Sequence, residues 1–368
     1  MGRLPSGTRR KGNRLEKRFT VNGKRYSVYG YTVAEIVEAE AKKRSEIERG
    51  VLQANISLDC FFERWTERRK DHVREATIIT NETRYKRISN YVFDKSGRKF
   101  GELYIKDITV EHLRQLQRGL KEQVSTCTSN QAIKLIKQIF NTAYKERCIS
   151  WDPCGCIDYL KDNKPKATDT IHRALTREET KKFLKYAEDS YYKNVFLFAL
   201  YSGCRIGEIA SLKYSDIKGD SISIQRTTTK TKGEKYFTIG ETTKTPSGVR
   251  TIPLTPELKA IIQDQQAIQR VYKVRSFDDV VFKNSKGAVI SARNVNGVLR
   301  SICEKANIEY FSVHALRDTY ATRAIESGIN PKTLQKLMGH SSINMTMDLY
   351  CQVMEETKQQ EIKLLSII

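Results

Sequence analysis

Two short segments in the C-terminal half of the chain place cations beside predicted helix ends and turns. In "YSGCRIGEIASLKYSDI", Arg205 follows the helix-ending Gly203, and Glu208 comes one helical turn later, where its carboxylate can hold the guanidinium. In "TTKTPSGVRTIPL", Lys244 stands just before a turn at 246–248 that is predicted to belong to a β-hairpin. Guanidinium and ammonium groups in such places suit the recognition of an anion.

Two further segments add imidazoles and a phenol. "HALRDTYATRAIESG" places His314 and Arg317 three residues apart on one face of a predicted helix, and "LMGHSSINMTMDLY" pairs His340 with Tyr350 ten positions later. Each residue alone has an ordinary explanation, because surface charge, a satisfied core histidine and a half-buried tyrosine are all common. Their joint occurrence favours a common site.

These residue types match the cleavage of a phosphodiester. That reaction needs a nucleophile, stabilisation of charge on the non-bridging oxygens and a proton for the leaving oxygen. We predict Tyr350 as the nucleophile and Arg205, Arg317 and His340 as ligands of the phosphate. The same cations favour the phenolate form of tyrosine, whose isolated pKa is about 10.

Two residues are predicted to transfer protons. His314 is the candidate proton acceptor, and Lys244 is the candidate donor to the 5′ oxygen. Lys230 and Lys232 lie in the same lysine-rich region, so the sequence offers more than one lysine for the second role.

The charge of the chain indicates a polyanionic partner. The 368 residues include 65 Lys and Arg against 43 Asp and Glu, a formal net charge of +22. Nucleic acid is the first candidate and an anionic membrane surface the second. No apolar run approaches the roughly 20 residues of a spanning helix, and the N-terminus lacks the apolar core of a signal peptide. A soluble, cytosolic protein is therefore expected, and its eight scattered cysteines, with no C-x-x-C pair, predict neither a disulfide framework nor a zinc site.

The N-terminal block is predicted to be a small basic sheet backed by one helix. Asn22-Gly23 is a two-residue hairpin signal, and Thr32 with Glu35 form a possible capping box for the helix that follows. The cations cluster on the hairpin side, which favours a DNA-reading sheet over a merely solvated one. The predicted DNA contacts are Arg9, Arg10, Lys11, Arg14, Lys17, Arg18, Lys24 and Arg25.

The rest of the chain alternates helical blocks with one linker. A compact helical block begins with a helix capped by Ser57, whose apolar stripe includes Trp65, and a second stripe follows Ser129. The last block is mainly helical with a few short strands. The prediction is therefore an α+β multidomain protein with a small sheet and one helix at 1–54, a helical domain at 55–158, a linker at 159–174 and a mainly α domain with a small antiparallel sheet at 175–368.

The order and context of these residues resemble the tyrosine recombinases, most closely the integrases of conjugative transposons and temperate phages. The matching phrases are "SGCRIGEIASLKYSDI", "TKTPSGVRTIPL", "HALRDTYATRAIESGINPKTLQKLMGHSSINMTMDLY" and, in the helical block, "AYKERCISWDPC". Lys244 is preferred over the other lysines because "RTIPL" follows it as in the family, although the insertion "TTTKTKGEKYFTIGETT" before it departs from the family pattern. The N-terminal sheet resembles the arm-binding domain of such integrases. The resemblance thus implies an arm-type DNA-binding domain at 1–54, a helical core-binding domain at 55–158 and a catalytic domain at 175–368.

The resemblance implies a site-specific recombinase that integrates and excises a mobile element. Strand cleavage would leave a 3′-phosphotyrosyl bond, which the 5′ hydroxyl of another strand attacks, so neither ATP nor a metal is needed. The implied partners are double-stranded DNA at core and arm sites, three further copies of the chain in a tetramer on DNA, and possible accessory excision and DNA-bending proteins. Glu208 would support the catalytic residues, and the apolar cluster near the C-terminus would dock on a neighbouring protomer.

Three other classes of protein share parts of this pattern. "ATRAIESGINPKTLQKLMGH" imitates a helix-turn-helix, so a non-catalytic DNA-binding regulator is the main alternative, but it leaves Arg205, Lys244 and Tyr350 unexplained. A metal-dependent nuclease would need a carboxylate or histidine ligand motif that is not recognisable here. A type IB topoisomerase shares the chemistry, and the basic N-terminal sheet favours the integrase.

Overall fold

The computed structural model describes residues 4–21, 23–48, 55–94, 96–161, 173–229, 238–240, 243, 246–272 and 279–351. The chain divides into two compact units, Met1–Asn163 and Lys164–Ile368. It is a mixed helix and sheet protein with small antiparallel sheets, which confirms the predicted fold class. The predicted domain boundary near residue 54 and most of the predicted linker fall outside the described residues.

A three-stranded antiparallel sheet and one helix begin the first unit. These elements are β1 (Thr8–Lys11), β2 (Arg14–Val21), β3 (Lys24–Gly30) and α1 (Val33–Glu48). Strand β2 lies between the other two, and the alternation of side chains buries Leu15, Phe19 and Val28, while Ile36 is fully buried on α1. Gly23 has a φ of 75° in the predicted turn between β2 and β3, a left-handed conformation that glycine adopts without steric cost.

Four helices with their own core form the rest of the first unit. They are α2 (Leu58–Arg69), α3 (Glu75–Ser89), α4 (Val110–Gln123) and α5 (Thr126–Lys145). The hydroxyls of Ser57 and Thr109 cap α2 and α4, and Trp65 is buried with the rest of its stripe, as predicted. Helix α5 begins earlier than its apolar stripe indicates, because Ser125 is the cap and Ser129 is fully buried inside the helix.

The second unit is mainly helical around a core rich in phenylalanine. Its helices are α6 (Arg177–Ala187), α7 (Lys193–Ser202), α8 (Ile206–Ile209), α9 (Pro256–Val271), α10 (Ala292–Ala306), α11 (Val313–Glu326) and α12 (Pro331–Met338), and the described chain ends in helical residues 343–351. Its strands are β4 (Ile217–Lys218), β5 (Ser221–Ile224), β6 (Thr228–Thr229), β7 (Thr238–Ile239) and β8 (Arg250–Pro253). None of the helices among the described residues has both the length and the apolar character needed to cross a bilayer.

The turn at Pro246–Gly248 does not close the predicted hairpin. Strand β8 pairs with β5, whereas β7 pairs with β6, so the chain passes from one small sheet to another at this turn. The register places Ile222 opposite Ile252, and both are buried in the core of the unit. Burial of this apolar pair explains why β8 joins the three-stranded sheet.

Candidate active site and nucleic-acid interface

Three arginines meet at the C-terminal end of α12. Three successive carbonyl groups each accept a hydrogen bond from one of them: Leu337 from Arg250 Nε (2.6 Å), Met338 from Arg317 Nη2 (2.6 Å) and Gly339 from Arg205 Nη2 (3.4 Å). The last carbonyls of a helix lack partners within the helix and carry partial negative charge, so they suit cations. The end of α12 therefore gathers the predicted Arg205 and Arg317 at one place.

Arg317 is almost completely buried, with 1% of its surface exposed. Its second terminal nitrogen donates to the carbonyl of Gly203, at the C-terminal end of α7. Burial, followed by the nearby charge of Arg205, lowers the pKa of Arg317 to about 10, so the guanidinium stays charged at neutral pH. Gly203 has a φ of 63°, and a Cβ there would lie 2.4 Å from the ring of Tyr320, so this position requires glycine.

Glu208 holds the other two arginines with one buried carboxylate. Oε1 accepts from Arg205 Nη1 at 3.0 Å, and Oε2 accepts from Arg250 Nη2 at 2.9 Å and from the backbone N–H of Arg205 at 2.9 Å. Burial opposes ionisation of Glu208, but its interactions with Arg250 and Arg205 outweigh burial and lower its pKa. The predicted support of Arg205 by Glu208 is present in the structure.

Arg250 is a member of this cluster that sequence reasoning missed. Its side chain is 6% exposed, and it contacts Glu208 and the end of α12. The sequence signal is a cation at the start of the apolar strand "RTIPL". Its spacing from Glu208 gives no indication of contact, because the two residues are 42 positions apart.

His340 follows the end of α12 directly and lies close to the arginines. Nδ1 is 2.9 Å from the hydroxyl oxygen of Thr346. Burial lowers the pKa of His340 to about 4, and the positive charges of the three arginines and of His314 contribute in the same direction. The imidazole is therefore uncharged at neutral pH, and it can donate only one hydrogen bond from its ring.

His314 is the exposed histidine of this region. It lies on α11, three residues before the buried Arg317, and 47% of its side chain is exposed. Nε2 is 3.9 Å from Oδ1 of Asp318. The structure thus places His314 near enough to His340 to influence its pKa, with a ring open to solvent.

Tyr350 makes its hydrogen bond away from the arginines. It lies on the helical residues 343–351 and packs against the small apolar cluster formed by α11 and α12. Its hydroxyl donates to the carbonyl of Ile329. Burial raises the pKa of Tyr350. Attack by this hydroxyl on a phosphate held by the arginines therefore requires the hydrogen bond to Ile329 to break.

The predicted proton donor Lys244 lies outside the residues that the structure describes, and so do Lys230 and Lys232. Thr243 and the turn at Pro246–Gly248 are described on either side of it. The choice among the three lysines stays a prediction from the sequence.

The predicted DNA contacts of the N-terminal sheet lie on both of its faces. Five of them lie on the face that α1 leaves open, alternating with the buried residues: Arg9, Lys11, Arg14, Arg18 and Arg25. Arg10 is paired with the buried Leu15 on the helix-side face, where Lys17 forms an ion pair with Glu40 of α1. The side chain of Lys24 lies outside the described part of the chain. The open face is thus a basic surface, and Lys17 belongs to the contact between sheet and helix.

Glu16 lies at the centre of this basic open face. Its carboxylate accepts from Arg9 Nε at 2.6 Å, from Arg18 Nε at 3.2 Å and from the hydroxyl of Tyr29 at 3.3 Å. The hydrogen bond from Arg9, with that from Arg18, lowers the pKa of Glu16 to about 2. Both arginines use Nε for this contact, which leaves their terminal amino groups for other partners.

Two segments of the chain match known protein families. Residues 173–357 match the phage integrase family, and residues 57–158 match the phage integrase SAM-like domain.

Among curated proteins, a XerC-like tyrosine recombinase of Caldanaerobacter subterraneus subsp. tengcongensis is 29% identical over 94% of this chain and 93% of its own length. The transposase of transposon Tn916 from Enterococcus faecalis is 28% identical over 65% of this chain and 62% of its own length.

Two groups of solved structures share the fold. An integrase of transposon Tn1549 in complex with a circular intermediate DNA matches with a TM-score of 0.67 at 23% identity, covering 84% of this chain and 100% of that chain. A lambda integrase tetramer bound to a Holliday junction matches with a TM-score of 0.60 at 16% identity, covering 95% of this chain and 96% of that chain.

Proposed function

This chain belongs to the phage integrase family and is a tyrosine-type site-specific recombinase, and we propose the roles of its side chains in cutting and rejoining DNA. The observation that carries these assignments is the meeting of Arg205, Arg250 and Arg317 at the end of α12, directly before His340. Three preorganised guanidinium groups in a partly buried site stabilise negative charge that develops in the transition state of the reaction.

We assign the scissile phosphate to Arg205, Arg317 and His340. Arg205 is the most exposed arginine of the cluster, with 37% of its side chain accessible, so it is the first to meet a ligand. Glu208 holds Arg205 in place, and Arg250 in turn binds Glu208. Charge that develops on the non-bridging oxygens is then stabilised by groups that need not reorganise during the reaction.

Tyr350 is the proposed nucleophile. Its hydroxyl leaves Ile329, gives its proton to His314 and attacks phosphorus, while the bond to the 5′ oxygen breaks and Lys244 protonates that oxygen. The products are a 3′-phosphotyrosyl bond and a free 5′ hydroxyl. Attack by the 5′ hydroxyl of another strand reverses these steps, rejoins the DNA and regenerates the phenol.

DNA is the proposed partner of each of the three predicted domains. We assign arm sites to the sheet at 1–54 and core sites to 55–158 and 175–368, joined by the linker at 159–174. The DNA-bound Tn1549 integrase and the lambda integrase tetramer support a multimer on DNA, which we propose is a tetramer of this chain. We further propose that accessory excision and DNA-bending proteins act with this chain, and that it is located in the cytoplasm with the DNA. The predicted docking tail, at 352–368, lies outside the described residues.

Covalent trapping on nicked DNA tests the nucleophile. In the presence of a chelator, the wild-type protein should form a protein–DNA adduct on a nicked core site, because loss of the short strand prevents rejoining. Tyr350→Phe should bind the same DNA and form no adduct, since only the attacking oxygen is removed. Tyr320→Phe is the control, and an adduct that survives in Tyr350→Phe but disappears in Tyr320→Phe would move the nucleophile to Tyr320. A non-catalytic DNA-binding regulator would give no adduct with either protein.

Sulfur substitution at the leaving oxygen tests Lys244. Lys244→Ala should cut cleavage by about 10²–10⁴-fold, the range typical of general acid catalysis, and change binding little. A 5′ bridging sulfur leaves without a proton, so it should restore much of the rate in Lys244→Ala but not in Arg205→Ala. Rescue of Lys230→Ala or Lys232→Ala instead assigns the acid to the earlier loop, and rescue of no lysine variant assigns it to another group.

A further inference from the structure

Thr346 is a buried hydroxyl in contact with the proposed phosphate-binding imidazole. It lies on the helical residues 343–351, none of its surface is exposed, and its Oγ is 2.9 Å from Nδ1 of His340. The proposed mechanism gives this threonine no role. A buried polar group beside a functional side chain either satisfies a structural need or fixes the orientation of its neighbour.

The hydroxyl hydrogen of Thr346 needs an acceptor, and this need sets the direction of its hydrogen bond with His340. A buried hydroxyl hydrogen without an acceptor is costly, and Nδ1 of His340 is the acceptor that the described part of the chain provides for Thr346. The hydroxyl therefore donates to Nδ1, which must then carry a lone pair. In the opposite direction, Nδ1–H would satisfy the threonine oxygen but leave the buried hydroxyl hydrogen without that acceptor.

The charges around His340 keep its ring neutral. The guanidinium groups of Arg205, Arg250 and Arg317 lie at the end of α12, next to His340 in the chain, and His314 approaches from α11. Positive charge and partial burial both oppose protonation of the imidazole. A neutral imidazole has one ring hydrogen, so with Nδ1 accepting from Thr346 that hydrogen is on Nε2.

We propose that Thr346 is a positioning residue that holds His340 as the Nε2–H tautomer. His340 then donates a hydrogen bond to a phosphate oxygen and does not take the proton of the nucleophile, a role that falls to His314. The donation of this hydrogen bond to a phosphate oxygen rests on the proposed function. The assignment of the Nε2–H tautomer does not depend on it.

Nitrogen NMR on the histidine rings tests the tautomer directly. The full chain is labelled with ¹⁵N-histidine, two-bond proton–nitrogen correlations are recorded at neutral pH, and His340→Gln assigns the signals by their disappearance. Wild type and Thr346→Ser, which keeps the hydroxyl, should show a protonated Nε2 and an unprotonated Nδ1. Thr346→Val, which has nearly the same shape, should show a larger share of the Nδ1–H form.

Cleavage of nicked DNA links the tautomer to the reaction. Thr346→Val should slow adduct formation by roughly 10–100-fold, the range found when a group that orients a functional imidazole is removed. DNA affinity should change little, and Thr346→Ser should restore most of the rate. The same assay on His340→Gln sets the size of the full loss, which Thr346→Val should not exceed.

Each outcome supports or overturns the proposal. A wild-type His340 that carries its hydrogen on Nδ1 overturns it whether or not Thr346→Val folds. A Thr346→Val protein that cleaves slowly with an unchanged tautomer also overturns it, because the threonine would then act through packing alone. Absence of any adduct from wild type would sink the proposed function, while the ring signals would still decide the tautomer.

Discussion

Two buried carboxylates in this protein each hold two arginines, and the two clusters differ in how exposed these arginines are. Glu208 holds Arg205 and Arg250 inside the second unit, and the side chains of Glu208 and Arg250 are 3% and 6% exposed. Glu16 holds Arg9 and Arg18 on the open face of the N-terminal sheet, and these two arginine side chains are 53% and 55% exposed. A buried carboxylate therefore holds a buried arginine in one region and two exposed arginines in the other.

The atoms used in the two clusters also differ. Arg250 uses Nε for a carbonyl of α12 and a terminal nitrogen for Glu208, so its guanidinium is occupied by protein groups. Arg9 and Arg18 give only Nε to Glu16 in the described contacts and keep their terminal nitrogens for an outside partner. The buried cluster fixes the position of charge, whereas the exposed cluster presents two oriented forks of the kind that bind guanine edges or phosphates.

Loss of the Glu208 carboxylate should have the largest effect. Glu208→Gln leaves the buried Arg250 without its counter-charge, so we expect the free energy of unfolding to fall by about 3 kcal/mol and cleavage by about 100-fold. Urea unfolding of the full chain and the nicked-DNA assay measure the two effects. Glu111→Gln, whose side chain is 64% exposed and pairs with Arg118, is the control and should change the free energy of unfolding by less than about 1 kcal/mol. Similar losses in both variants would contradict the contrast between buried and exposed clusters.

Loss of the Glu16 carboxylate should alter DNA specificity, because its two arginine partners are exposed. Glu16→Gln frees Arg9 and Arg18 from their common partner, so discrimination between arm-site and unrelated DNA should fall about tenfold, while non-specific binding rises with the added positive charge. Dissociation constants for the two DNAs at one salt concentration measure this. Glu38→Gln makes the same charge change at an exposed position on α1 and should leave discrimination unchanged. Equal behaviour of the two variants would reduce the role of Glu16 to net charge.

The stability that the Glu16 cluster contributes should depend on pH, and the titration of the Glu16 carboxyl group can be measured directly. Its pKa in the folded protein is about 2, below the usual value of 4.5 for a glutamate, so the unfolded chain binds this proton first as the pH falls. The stability that the cluster contributes is therefore complete above about pH 4.5 and is lost as the pH falls towards 2. Carboxyl carbon NMR should show Glu16 titrating near the bottom of this range. Titration in the usual range for glutamate would mean that the two arginines do not hold it in solution.

The smallest effect is expected at Lys17. This residue was predicted to contact DNA, but its ion pair with Glu40 holds it at the contact between sheet and helix, so Lys17→Ala should leave the salt dependence of arm-DNA binding nearly unchanged. Arg25→Ala, on the open face, should reduce the slope of log affinity against log salt by about 1. A steeper loss with Lys17→Ala than with Arg25→Ala would place the DNA on the other face.

Local signals in the sequence mark several helix starts and the turn between β2 and β3. The capping hydroxyls of Ser57, Thr109 and Thr176 mark helix starts because their effect reaches only two or three residues along the chain. Register within the N-terminal sheet follows from alternation and a tight turn in the same way. The pairing of β8 with β5 was not predicted, because it depends on a shared core and not on the neighbouring residues.

The sequence by itself determined which residue types are available for the chemistry, and the order of Arg205, Lys244, His314, Arg317, His340 and Tyr350 identified the family. Only the tertiary structure decided which of them meet. Arg205 reaches the carbonyl of Gly339 across 134 positions, and Arg250 enters the cluster because the end of α12 offers a free carbonyl there. Spacing along a chain fixes neighbours within a helix or strand, but contacts between distant segments follow from the packing of the whole core, which no local pattern contains.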